Sequence, residues 1–95
     1  MLNNQQKQTL RSLGNRLNAS VQIGKDGLSN NIIDMAERSI VAHDLIKVSV
    51  LKTCQSPIRE LALDLASQTH SDLVFIIGRT FLLYRKGKQN LLDHE

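Results

Sequence analysis

Residues 19–29 read Ala-Ser-Val-Gln-Ile-Gly-Lys-Asp-Gly-Leu-Ser, and the order of residue types in this stretch sets how the chain must begin to fold. Ala19 to Ile23 carries β-branched Val21 and Ile23, the composition of a short strand. Gly24-Lys25-Asp26-Gly27 closes it as a tight loop. Ser29 then offers a helix N-cap, and Asp34 lies early enough to favour the positive end of the helix dipole. Leu28, Ile32, Met35, Ala36, Ile40 and His43 recur on one face of that helix, which is expected to end near His43. From Leu45 to Lys52 the pattern switches to strict alternation: Ile46, Val48 and Val50 face one way, Lys47, Ser49 and Leu51 the other, as in a half-buried strand. Strand, helix and strand form one crossover unit, which predicts parallel, right-handed pairing.

Upstream, Asn3 to Leu17 places Leu10, Leu13 and Leu17 at helical spacing, with Lys7 and Arg11 one turn apart beside them. This predicts an amphipathic helix with one basic edge, and Gly14 is where it can end early. Downstream, Ser56-Pro57 predicts a capped helix with proline at its first position, and Ile58, Leu61, Ala62, Leu65 and Ala66 form its apolar stripe. Leu73–Ile77 and Phe81–Tyr84 are two apolar runs joined by Gly78-Arg79-Thr80, a separation that demands an antiparallel hairpin. The order is α-β-α-β-α-β-β. It predicts an α+β domain over residues 1–86, with a two-layer, four-stranded mixed sheet and helices mainly on one face. Residues 87–95 read as a polar, flexible tail.

A chain of 95 residues with 41% apolar and 22% charged residues suits one soluble globular domain. No apolar run approaches the ~18 residues of a membrane span, and the N-terminus lacks the apolar stretch of a signal peptide, so a cytoplasmic location is expected. A single cysteine, Cys54, precludes an internal disulfide and reads as an incidental loop thiol. Catalysis and metal binding require nucleophile–base or multi-ligand constellations. His43, His70 and His94 share no such spacing with Cys54 or with a carboxylate pair, so no enzyme, metal or cofactor is expected.

Charge is distributed unevenly. Residues 1–25 carry four cations and no acid, residues 26–78 carry seven acids against four cations, and residues 79–95 carry four cations against two acids. Basic ends around an acidic middle form one positive patch if the fold brings the ends together, and are an unevenly solvated surface if it does not. The loop Gly24–Gly27 bears on that choice. Two glycines let the main chain be approached closely, the next helix turns its free N–H groups to the same place, and Lys25 adds a cation at the tip. Four residues with two glycines also make a plain turn. However, the parallel crossover puts this loop at the carboxyl end of the sheet, where ligands tend to bind. A third strand parallel to the first would bring Arg79 to the same edge, with Lys7 and Arg11 as its border. Arg85 and Lys86 would leave toward the opposite end. Together these features point to nucleic acid. With only Phe75, Phe81 and Tyr84 available as stacking platforms, all three in core strands, contacts should go to phosphates and riboses of structured RNA.

Three separated stretches carry a resemblance: Val21 to Ser29, His43-Asp44-Leu45-Ile46-Lys47-Val48, and Ile77-Gly78-Arg79-Thr80-Phe81-Leu82-Leu83-Tyr84-Arg85. In this order they resemble the CRM domain (chloroplast RNA splicing and ribosome maturation) in its free-standing bacterial, YhbY-like form, from about Gln6 to Lys86. The resemblance implies a fold similar to the C-terminal domain of translation initiation factor three with an added N-terminal helix. It implies RNA binding through the glycine loop and nearby cations, and association with large-subunit ribosomal RNA or a pre-ribosomal particle as an assembly factor. By position, Gly24, Lys25 and Gly27 fall on the family loop, Lys47 on its strand-two lysine, and Arg79 and Arg85 on its hairpin cations. Asp44 stands where glutamate is expected, and Ser49 where many relatives carry lysine. Asp26 adds a negative charge inside the loop. The expected RNA-binding set is therefore Lys7, Arg11, Gly24, Lys25, Asp26, Gly27, Lys47, Arg79, Arg85 and Lys86. A monomer with no membrane partner and no small-molecule substrate is expected. The competing expectation is a protein-interaction adaptor that docks partners on an open sheet face.

Overall fold

In the computed structural model, which describes residues 2–92, seven elements follow in the expected order: α1 (Asn4–Gly14), β1 (Val21–Ile23), α2 (Asn30–His43), β2 (Leu45–Val50), α3 (Ile58–Gln68), β3 (Asp72–Ile77) and β4 (Thr80–Tyr84). The strands form one mixed sheet in the order β1-β2-β4-β3. β1 runs parallel to β2, and β4 is antiparallel to both of its neighbours, so β3 runs the same way as β1. The carboxyl ends of β1, β2 and β3 therefore share one edge of the molecule.

Alternation distributes the strand residues between two cores. Val21, Ile23, Ile46, Val48, Val50, Phe81 and Leu83 face α2 and α3, where Ala36, Ile40, Leu61, Ala62 and Leu65 complete the larger core. Leu45, Leu82, Tyr84 and Val74 face the other way, against Leu10 of α1. A bulge in β3 between Leu73 and Phe75 leaves Val74 without a partner in register. It turns Val74 and Phe75 together toward the α1 side.

The N-terminal helix departs most from the expected layering. α1 crosses the sheet face that α2 and α3 leave free and covers part of it, against Leu45, Val74, Leu82 and Tyr84. Gly14 makes the close approach feasible: a Cβ there would overlap Leu82 Cδ1 and lie 2.8 Å from Cδ2. α1 starts on a capping box in which the Asn3 side chain accepts from the Gln6 amide (2.8 Å) and the Gln6 side chain accepts from the Asn3 amide (3.0 Å). It ends at Gly14 instead of continuing to Leu17.

Smaller departures have local causes. β1 begins only at Val21, where pairing with β2 starts. Asp34 lies beyond the first turn of α2 and pairs with Arg38 one turn on at 2.6 Å, while Met35 and His43 are exposed. Pro57, in extended backbone, is itself the N-cap of α3, and Ser56 makes no capping bond. Cys54 follows β2 in a loop, yet its side chain is buried in the larger core. The hairpin turns through Gly78 and Arg79, with positive φ only at Gly78 (57°), the first central position, as a type II′ turn requires.

The segment after β4, expected to be a loose tail, is bonded to the domain as far as Gln89. Asp44 Oδ2 accepts from the amides of Gly87 (2.8 Å) and Gln89 (3.1 Å), and the Gln89 side chain donates to the Ala42 carbonyl (3.0 Å). Leu91 and Leu92 pack against the smaller core.

Candidate nucleic-acid interface

Ile23 ends β1, and Gly24 to Gly27 turn the chain into α2. The Gly27 amide donates to the Gly24 carbonyl (3.0 Å), the Ser29 amide to the Gly27 carbonyl (3.0 Å), and the Ile32 amide to Ser29 Oγ (3.3 Å). Gly27 has φ of 67°, and a Cβ built on it would meet nothing within 4 Å. The turn therefore needs glycine for its backbone conformation, while the space above it stays clear. Three amides of this segment are engaged internally. Those of Lys25, Asp26, Leu28, Asn30 and Asn31 make no hydrogen bond among the described residues. They lie at the N-terminal end of α2, where the helix dipole is positive. Lys25 and Asp26 are exposed at the tip.

Arg79 reaches the same edge from the hairpin. Its Nε donates to the Val50 carbonyl (3.0 Å) and its Nη2 to the Leu51 carbonyl (2.6 Å), while the Val50 amide donates to the Arg79 carbonyl (2.7 Å). The Leu51 amide in turn donates to Ile23 (2.8 Å), directly before the glycine loop. The guanidinium thus staples the hairpin turn to the end of β2 and leaves its charge exposed beside the loop.

Between this edge and α1 runs a row the sequence reading did not assemble. Gln22 pairs with Ser49, Ser49 with Thr80, and Thr80 with Ile77. All four lie on the α1 side of the sheet and none is buried. The alternation of Gln22, Ser49 and Thr80 against buried neighbours was the signal for it, but only the strand order aligns them into a shelf.

The remaining expected site residues are dispersed. Arg11 stacks over Phe75, its guanidinium carbon 3.9 Å from the ring centroid, and Lys7 is exposed one turn earlier, so both border β3. Lys47 lies mid-sheet and donates to the Leu17 carbonyl (3.3 Å), tying down the chain after α1. Arg85 is at the opposite end. Its Nη1 and Nη2 meet the Glu37 carboxylate at 3.2 and 2.6 Å, and Nη1 also donates to the Thr69 carbonyl at 2.7 Å. The hydrogen-bonded guanidinium holds the Glu37 carboxyl below its usual range, and the carboxylate raises Arg85. Arg85 thus joins α2 to the end of α3, and Lys86 lies beside it, away from the glycine loop. Of the ten expected residues, Gly24, Lys25, Asp26, Gly27 and Arg79 are brought to one edge.

Aromatic side chains offer no platform. Phe81 and Tyr84 are buried, and Phe75 is half-buried beneath Arg11. Among the described residues no three His, Cys, Asp or Glu side chains group as metal ligands, and no helix is long and apolar enough to cross a membrane. His43 and His70 are exposed and separate, and His94 lies outside the described residues.

The class this geometry defines is a small α+β domain that presents main-chain amides and cations at the carboxyl edge of a mixed sheet. More specifically, the chain belongs to the CRS1/YhbY (CRM) domain family, whose match spans residues 2–85. It is 39% identical to the Bacillus subtilis protein named "Probable RNA-binding protein YqeI", over 95% of this chain and 94% of that one. It is 34% identical to a Pseudomonas aeruginosa protein that also bears the name of a probable RNA-binding protein, over 90% and 83% of the two chains. The solution structure of a Staphylococcus aureus protein, described as a candidate RNA binder, superposes with a TM-score of 0.81 at 39% identity, covering 95% of this chain and 94% of that one.

Proposed function

We propose that the protein binds structured RNA at the carboxyl edge of its sheet, and that its target is large-subunit ribosomal RNA during assembly. The observation that carries this reading is the convergence of five uncommitted amides with Lys25 and Arg79 on one edge. Amides at a helix N-terminus donate to phosphate oxygens, and flanking cations neutralise the charge. The shelf of Gln22, Ser49 and Thr80 offers side chains that hydrogen-bond riboses without selecting bases. The absence of an exposed ring among the described residues favours shape over base stacking. Relatives named as RNA-binding proteins support the same partner. The protein acts as a non-catalytic, cytoplasmic monomer in this reading.

Phosphate neutralisation makes log affinity fall with log salt by ~0.7–0.9 for each contacted phosphate. Changing Lys25→Gln and Arg79→Gln together should therefore lower affinity for ribosomal RNA fragments and flatten the salt slope by roughly 1.4–1.8. An unchanged slope in a folded double variant overturns the site. Association with pre-ribosomal particles is read by gradient sedimentation with RNA crosslinking, and crosslinks outside large-subunit RNA overturn the target. The adaptor reading loses part of its sheet face to α1. It predicts that the large partner survives nuclease treatment of an extract, whereas RNA binding predicts its loss.

A further inference from the structure

The opposite end of the sheet contains a groove of about 570 Å³, within the range of ligand sites. Leu13, Leu17, Leu45 and Leu91 form its apolar lining, and Arg16, Asn18 and Gln89 also line it. Among the described residues no carboxylate lines it, and Lys86 and Lys88 are exposed in the segment that contributes Gln89 and Leu91. From Arg79 to Glu95 the chain carries four cations and two acids, Asp93 and Glu95, which lie outside the described residues.

That segment is positioned at some cost. Asp44 is 1% exposed, has φ of 63°, and has one carboxylate oxygen, Oδ1, buried with no hydrogen-bond partner. Such a buried, strained carboxylate is unfavourable unless it holds something. What it holds is the turn at Gly87 and Gln89, whose amides donate to Oδ2. Gly87 is required for the fit, since a Cβ there would lie 2.7 Å from Asp44 Oδ1. Gln89 and Leu91 of the tethered segment form one wall of the groove, and Lys86 and Lys88 precede them in the same segment.

We infer that this groove is a second RNA contact that seats an unpaired nucleotide, its base on the leucine floor and its phosphates against Arg16, Lys86 and Lys88. The Asn18 side-chain amide and the side-chain carbonyl of Gln89, whose side-chain nitrogen is held by Ala42, match the donors and acceptors of a base edge. Arg16 in a lining that holds no acid among the described residues, with Lys86 and Lys88 in the adjoining segment, favours a polyanion over a neutral peptide segment. The inference rests on the RNA-binding reading and adds to it a single-stranded element, bound at the end remote from the glycine loop.

The test is a methyl and amide NMR titration of the full chain with a single-stranded hexauridylate and, separately, with a blunt RNA duplex. The single strand should shift Leu13, Leu45 and Leu91, and the duplex should shift Lys25 to Asn31 instead. The exposed double variant Arg16→Gln/Lys88→Gln should flatten the hexauridylate salt slope by ~1.4, two contacts at ~0.7 each. Gly87→Ala, which displaces the tether, should weaken hexauridylate binding and leave duplex binding unchanged. Three results overturn the inference: hexauridylate that leaves the groove unshifted, a variant slope equal to wild type, or groove shifts that depend on protein concentration without RNA. If the duplex also fails to bind, the RNA-binding reading itself falls; duplex binding with an unperturbed groove removes the second contact alone.

Discussion

Replacing Arg85 with methionine separates the cations that hold the fold from those that face a ligand. Two interactions are lost. The ion pair with Glu37 is bidentate, but its side chains are 28% and 40% exposed, so solvent screening reduces it to ~0–1 kcal/mol. The bond to the Thr69 carbonyl matters more. Thr69 is fully buried, and leaving its acceptor unpaired costs ~1–3 kcal/mol. A loss of about 2 kcal/mol follows, which in a domain of this size lowers Tm by roughly 8–16 °C. Urea unfolding should show a lower midpoint with an unchanged slope, since the surface exposed on unfolding is the same. Glu37→Gln alone should lose under half as much, because it keeps the Thr69 bond. Below the melting range, the Arg85→Met protein should bind RNA with the wild-type salt slope. A variant as stable as wild type, or one whose slope falls as far as that of a Lys25 variant, refutes the assignment of Arg85 to the fold.

Four further outcomes are expected. Since Arg85 holds Glu37 below its ordinary 4.5, the folded carboxyl binds its proton less readily than the unfolded one; the stabilisation is present above that value and is lost as pH falls through the depressed folded value, so the stability gap between wild type and Glu37→Gln should close in acid urea titrations. Gly27→Asn keeps a residue that tolerates positive φ but places a side chain in the clear space over the loop. It should fold within ~1 kcal/mol of wild type and bind duplex RNA at least tenfold more weakly by fluorescence anisotropy, the loss of one charged hydrogen bond. Gly24→Ala meets only ordinary contacts, 3.6 Å to Leu51 Cδ1, and should be neutral or stabilising by ~0.4–1 kcal/mol in thermal melts. Gly14→Ala forces the buried Leu82 side chain aside; overpacking of ~1–3 kcal/mol should outweigh the helix-propensity gain of ~0.5–1 and lower the urea midpoint.

What could be read from residues was the part governed by local periodicity. The alternation through Ile46, Val48 and Val50 and the short Gly78-Arg79 turn specify their strands almost alone, and the crossover rule gave β1 and β2 their common direction. The shared edge of Lys25 and Arg79 depended on β3 running with β1, a direction that comes only with the strand order. The layering did not follow. α1 has one apolar stripe like α2 and α3, and nothing in a stripe says which sheet face it covers; the decisive residue is Gly14, whose missing side chain admits Leu82. Arg85 illustrates the same limit. Its charge reads alike in a ligand site or an ion pair, and its partners Glu37 and Thr69 are 48 and 16 residues away. The tail misled because Gly87, Lys88 and Gln89 carry no apolar side chain to bury. Its anchor is Asp44, a buried carboxylate that only the folded chain brings within reach.

The position of α1 also determines how RNA can be engaged. A sheet face carrying exposed rings would grip one strand along its length, but this face is crossed by a helix and its aromatics are covered. In the proposed reading, recognition is left to the two ends of the strands. A six-residue strand such as β2 separates them by about 20 Å at ~3.3 Å per residue. Two weak contacts at a fixed spacing behave differently from one strong contact. Once the first is made, the second is intramolecular, and its effective concentration depends on whether the RNA places a paired and an unpaired segment that far apart. An RNA with both segments at that spacing should bind ~10²–10⁴-fold more tightly than either segment alone, and one with the segments too far apart to be reached together should gain nothing. In this reading selectivity comes chiefly from the three-dimensional arrangement of the RNA, as suits a domain with a bare main-chain loop at one end and a leucine-lined groove at the other.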